Sequence, residues 1–148
     1  MKWVTRKNAK VDRVACPWLI ARFIDPEAEF LFVPPEEVLT VAAQEGAIPF
    51  DVPGVELGHG EGRCSFESIL AKCGLDDPAL VLLGRIVHGG DIPQDLGIEP
   101  EAAGLRAIAH GFALLLGEDD HGELRLQFPL YDALCAWCRH RLGTPEGG

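Results

Sequence analysis

His59, Cys64, Glu67, His88 and Asp91 are side chains of the kinds that bind transition metals: two imidazoles, two carboxylates and a thiol within one stretch of the chain. Zinc, iron(II) and manganese accept such mixtures. The spacing belongs to no named metal motif, so only folding can bring these groups together. His59 stands in Gly58-His59-Gly60, where it has little packing reason to be. One divalent transition metal (zinc, iron or manganese), held by His59, Glu67, His88 and Asp91, is the cofactor expected. The competing reading of His88, beside Gly89-Gly90-Asp91, is a cap at a helix C-terminus.

A second group lies nearer the start of the chain. Arg6, Arg13 and Arg22 carry guanidinium forks that match a tetrahedral oxyanion with two parallel hydrogen bonds, and with His59 they are the candidate anion-binding residues. Cys16, placed in the first turn of a helix, would sit in a positive potential that lowers its pKa. Cys16 and Cys64 are therefore the candidate catalytic thiols. The alternative is structural: the arginines pair with Asp12, Asp25 or Asp51, and Cys16 packs in the core.

Three further motifs have plainer explanations. Cys135-Ala-Trp-Cys138 has the spacing of a redox pair, but it falls near a helix end, where the dipole disfavours a thiolate, so core packing is expected. Asp119-Asp120-His121 reads as an acidic helix N-terminus. His110, among alanine and glycine, reads as a buried or interface histidine.

These groups must be positioned by a chain of 148 residues that is 47% hydrophobic, enough for one core without staples. The net charge is −10 and the pI near 4.8, which excludes a protein that coats nucleic acid or an anionic membrane. Six basic residues against Asp12 alone give residues 1–24 a charge of +5, leaving −15 on the remainder. That patch fits a local anion site or internal ion pairs, not a duplex. Five cysteines at irregular spacing and no signal peptide point to reduced thiols in the cytoplasm. The longest apolar run, Gly111 to Gly117, is too short to span a bilayer.

The periodicity predicts strands over Lys2–Arg6, Glu29–Val33 and Ile48–Val52, alternating with helices over Val14–Ile24 and Glu36–Gln44. Pro17 is placed in the first turn of its helix, where its missing N–H costs nothing. A glycine-rich loop from Val55 to Arg63 carries His59. Ser65 is read as the cap of a helix running to about Lys72, and further helices follow over Asp77–His88, Pro100–Leu116 and from about Asp119 to Leu142, with a loop over Gly89–Glu99 and a break or kink at Pro129. The fold class is thus α+β: a small mixed or partly parallel three-stranded sheet in a β-α-β-α-β front half, packed against a helical C-terminal half. One domain covers 1–142, and 143–148 has the composition of a flexible tail.

Val11-Asp-Arg-Val-Ala-Cys-Pro-Trp-Leu-Ile-Ala-Arg-Phe-Ile-Asp-Pro26 resembles the signature of the chromate-resistance family. The likeness continues through Glu29-Phe-Leu-Phe-Val-Pro34, Ile48-Pro-Phe-Asp51, Gly58-His59, Arg63-Cys-Ser-Phe-Glu67 and Tyr131-Asp-Ala-Leu134. It covers nearly the whole chain and is similar to the C-terminal domain of ChrB-type proteins, with Ala21 and Cys73 as departures. The resemblance implies a role in chromate resistance, sensing or stress response. Chromate is a tetrahedral dianion that a thiolate can reduce. The function expected is binding of an oxyanion such as chromate by the front-half arginine, histidine and cysteine residues; the alternative is a metal-dependent enzyme with a His/carboxylate site. A small anionic ligand is the expected partner, with no membrane and no nucleic acid for this chain alone, and a homodimer is left open.

Overall fold

A computed structural model describes residues 1–143, and positions 144–148 of the expected tail lie outside the described residues. Strand β1 (Lys2–Arg6) is the middle of a three-stranded sheet, flanked by β2 (Glu29–Val33) and β3 (Ile48–Pro49). Both pairings are parallel, with Val4 opposite Leu31 on one side and Pro49 on the other. Parallel neighbours need crossovers, here helix α1 (Asp12–Phe23) and helix α2 (Val38–Glu45), the latter preceded by a 3₁₀ turn over Pro35–Glu37. Five helical segments complete the chain: α3 (Ser65–Lys72), α4 (Pro78–Asp91), a 3₁₀ turn at Pro93–Asp95, α5 (Ala102–Leu116) and α6 (Asp120–Arg141).

Alternation along β1 divides the core. Trp3 joins the main cluster with Trp18, Leu19, Phe50, Phe66, Leu83 and Tyr131. Val4 faces the other way, into a small cluster with Val38, Ala47 and Val52 under α2. Buried Thr5 donates its hydroxyl to the Phe50 carbonyl at 2.6 Å, tying β1 to the end of β3. Helix α1 is buried from Val14 through Ile20, as a helix wrapped on all sides must be.

The expected α+β architecture is what the chain adopts, and the sheet is wholly rather than partly parallel. Helix α1 starts at Asp12, so Pro17 is its sixth residue and lies beyond the first turn. Strand β3 stops at Pro49, which has no N–H for the ladder, and Asp51 turns into the left-handed region at φ 51°. Helix α4 runs three residues past His88, carrying Asp91 on the helix rather than in a loop. Helix α6 continues through Pro129, which is exposed together with Arg125, so water can serve the carbonyl that loses its helical donor. His110 is exposed, not buried, because the side of α5 that packs inward is the one bearing Ala102, Leu105 and Ala109.

Candidate functional site

Asp12 opens α1, and its carboxylate crosses to the start of α3. There it accepts the N–H of Ser65 at 2.8 Å and of Phe66 at 3.1 Å, and the Cys16 thiol donates to it at 3.3 Å. These are first-turn N–H groups without helical partners, at the positive end of the helix dipole, so a buried carboxylate is stabilised there. Helix α3 also carries its own reciprocal cap. The Cys64 sulfur accepts the Glu67 N–H, and Glu67 Oε1 accepts the Cys64 N–H at 3.0 Å.

The loop before α3 brings His59 onto this carboxylate. Gly58 makes the approach feasible, since a Cβ there would fall 2.7 Å from the Val52 carbonyl oxygen, and Ser68 donates its hydroxyl to the Gly58 carbonyl at 2.7 Å. His59 Nε2 then lies 3.2 Å from Asp12 Oδ2, 3.0 Å from Asp91 Oδ2 and 3.5 Å from Asp51 Oδ1. Three carboxylates from the start of α1, the end of β3 and the end of α4 converge on one imidazole that remains 45% exposed. Its ring stands between two hollows of about 460 Å³, one bordered by Arg63 and Lys72, the other by Arg6 and Asp51.

Asp51 is buried and braced. Ser65 donates its hydroxyl to Oδ1 at 2.7 Å, while Arg6 Nη2 and Arg13 Nη1 lie 3.3 and 3.4 Å from Oδ2. Arg6 and Arg13 are thus already paired, as the structural alternative required. Arg22 is elsewhere: its guanidinium is exposed and forks onto Asp132 at 3.0 and 3.1 Å. It is no part of this site, because its position late in α1 turns it toward α6.

Electrostatics follow from this crowding. Burial raises the Asp91 carboxyl, Asp12 and Asp51 add to the effect and His59 opposes it, leaving a pKa of about 7. Burial and then Asp12 also raise Asp51, against Ser65, Arg13 and Arg6. For His59 the hydrogen bond to Asp12 leads, burial opposes, and the three acidic charges complete a rise to about 9. The imidazole is therefore cationic at neutral pH. A proton sits where these carboxylates call for positive charge.

The thiols behave oppositely to expectation. Cys16 is fully buried, and burial followed by the Asp12 and Asp51 charges pushes its pKa well up. Cys64 is buried too, raised by burial and then by Asp12. Neither is an activated thiolate, since burial, reinforced by the acidic surroundings, outweighs the helix dipole. On α6, Cys135 and Cys138 are buried, with Cys138 raised to about 12 chiefly by burial, consistent with packing. Asp119 caps α6 by accepting the Gly122 N–H at 3.0 Å. Asp120 accepts the backbone N–H groups of Asn8 at 3.0 Å and Ala9 at 2.6 Å.

The four expected metal ligands divide into two groups. Ligand atoms of Asp12, His59 and Asp91 lie within 4.8 Å of one another, and so do those of Cys64, Glu67 and His88. His88 does not meet His59. Its Nδ1 lies 2.5 Å from Glu67 Oε1 and its Nε2 2.6 Å from Asp95 Oδ2, so it is a buried, doubly bonded residue rather than a simple helix cap. Reading by residue type named Asp12 and Asp51 only as partners for the arginines, and gave Ser65 and Asp95 no place in a site. Asp12 and Asp51 stand inside the motifs Val11-Asp-Arg-Val14 and Ile48-Pro-Phe-Asp51, and the available signal was that each acid lies within motifs otherwise rich in apolar residues.

Residues 3–138 match the family described as ChrB, C-terminal domain. The chain belongs to that family. It is also 43% identical over 122 residues to Protein ChrB of Cupriavidus metallidurans, a match covering 80% of this chain and 35% of that protein. This ChrB C-terminal domain thus spans about a third of the length of the curated relative. No solved structure matches it. Among the described residues, no helix is long and apolar enough to cross a membrane.

Proposed function

We propose that this ChrB C-terminal domain contributes to chromate resistance as a divalent-metal-dependent module, with Asp12, His59 and Asp91 holding the cation. One observation carries the reading: three carboxylates from separate elements converge on a half-exposed imidazole whose Nε2 is within 3.5 Å of all of them. Carboxylate oxygen with imidazole nitrogen suits manganese, iron(II) or zinc. The cation takes the place of the His59 proton, and an oxyanion such as chromate lands on it. Arg6 and Arg13 hold Asp51 as a wall of the site rather than gripping the anion themselves. Bound metal would polarise an oxyanion or activate water. The five unbridged cysteines fit a reducing, cytoplasmic setting.

A second reading, direct capture of the oxyanion by protein cations, is favoured by Lys10, Arg106 and His110, which line a hollow of about 190 Å³ beside Asp91. Calorimetric titration separates the two. Manganese(II) binding to the wild type, lost in His59→Ala, with chromate or sulfate binding only to the metal-loaded protein, supports the metal module. Chromate binding to the metal-free protein, unchanged in His59→Ala, replaces it with direct capture. No manganese or zinc uptake by the wild type refutes it.

A further inference from the structure

The groups left over from the His59 cluster are themselves arranged as a site. Helices α3 and α4 pack closely where Gly84 has no side chain: a Cβ there would meet Phe66 and Leu70 at 3.3 Å and Glu67 Cγ at 3.5 Å. His88 follows Gly84 by four residues, on the same face of α4, and so is delivered to Glu67. Cys64 sits at the N-cap of α3, a position that serine, threonine, aspartate or asparagine fills better as a pure cap. Its sulfur accepts a backbone N–H, which orients a lone pair and favours thiolate character on bonding to a cation. Sulfur, imidazole nitrogen and carboxylate oxygen are then within 4.8 Å of each other.

The second nitrogen of His88 completes the pattern. Nε2 faces Asp95, whose side chain is 45% exposed at the end of the 3₁₀ turn that follows α4. A metal-bound histidine usually donates its other N–H to a carboxylate, which sets the tautomer and the ring plane. With Nε2–H given to Asp95, the Nδ1 lone pair points toward Glu67 and the Cys64 side. Glu67 and Asp95 are both partly open to solvent while Cys64 and His88 are buried, so solvent reaches the group at its carboxylates.

We propose that Cys64, Glu67 and His88, with Asp95 orienting the imidazole, form a second divalent-metal site of zinc type, separate from the Asp12–His59–Asp91 cluster. Three protein ligands of mixed sulfur, nitrogen and oxygen type leave a fourth position for water, the pattern of zinc sites that take an exogenous ligand. Binding displaces the Cys64 thiol proton and the proton between His88 Nδ1 and Glu67. The site stands on residues that the His59 reading does not use, so either can fail alone.

Cobalt(II) titration of the full chain tests it, because thiolate-to-cobalt charge transfer absorbs in the near ultraviolet. The wild type should show that band, zinc should abolish it, and His59→Ala should retain it. Cys64→Ser, in which serine still caps α3, should lose the band with the far-ultraviolet circular dichroism unchanged. Asp95→Asn should keep the band and weaken cobalt binding by about 10–100-fold, the usual effect of losing such an orienting partner. Absence of the band in the wild type, its survival in Cys64→Ser through the other thiols, or unaltered affinity in Asp95→Asn each overturns the proposal. Should Cys64→Ser fail to fold, the Asp95→Asn affinity decides.

Discussion

Replacing Asp91 by asparagine should make the protein more stable while removing one ligand of the proposed cation site. Asp91 pays for its place: its carboxyl is raised from 3.8 to about 7 by burial and by the Asp12 and Asp51 charges, net of the help from His59. That is a shift of about three pH units at ~1.4 kcal/mol each, so the ionised group weakens the fold by ~4 kcal/mol above pH 7. Asparagine keeps an acceptor for the Asp12 N–H, which approaches Oδ1 at 3.4 Å. Its own burial as a neutral amide offsets ~1–2 kcal/mol of the gain. The expected net stabilisation at pH 8 is therefore ~2–3 kcal/mol. The sign with pH follows from the raised folded value. The unfolded chain gives up this proton near 3.8 and the folded chain near 7, so the wild type loses stability as pH rises through that window, and the advantage of the variant disappears as pH falls through it. Urea unfolding of both proteins, metal-free, at pH 8 and pH 4 reads this as a shift in midpoint at constant slope. A variant no more stable than wild type at pH 8, or equally advantaged at pH 4, would show that Asp91 is not held ionised at a cost.

Divalent-metal affinity at the Asp12–His59–Asp91 cluster should rise with pH between about 6 and 9. The cation competes with protons on Asp91, near 7, and on His59, near 9; calorimetry in two buffers of different ionisation enthalpy would detect the released protons. In the native state a thiol reagent should modify Cys73 rapidly and Cys16, Cys64, Cys135 and Cys138 slowly, since only Cys73 is exposed; five equal rates in denaturant would be the control. Arg22→Ala should leave metal and chromate binding unchanged and cost at most ~1 kcal/mol, the range of an exposed ion pair, measured by the urea midpoint and the same titrations.

The strands β1 and β2 were legible to the residue, β1 from its alternation and β2 from an apolar run ended by Pro34 and Pro35; helix α3 was legible apart from its cap, which is Cys64 and not Ser65. The ends that shifted were those decided by contacts distant in sequence. Asp12 begins α1 early while its N–H meets Asp91 and its carboxylate meets α3, and no local pattern encodes partners 79 and 53 residues away. The same distance explains the site. Residue type alone picked out His59 and Asp91, which do meet, and Arg6 and Arg13, which pair with Asp51 beside them. It could not show that Asp12 and Asp51 provide the remaining carboxylates, nor that His88 turns to Glu67 and Asp95 instead. The Cys16 thiol was misjudged because the pull of a helix terminus is read from sequence, whereas its complete burial and the carboxylates beside it are visible only after folding.

Asp120, the first residue of α6, clasps the main-chain amides of positions 8 and 9, immediately ahead of the aspartate that founds the His59 cluster. During synthesis, those amides emerge from the ribosome more than a hundred residues before their acceptor does. The segment leading into α1 therefore lacks these two bonds until the final helix is made. Any chain broken off ahead of α6 is left with two uncapped amide donors at the threshold of the His59 cluster.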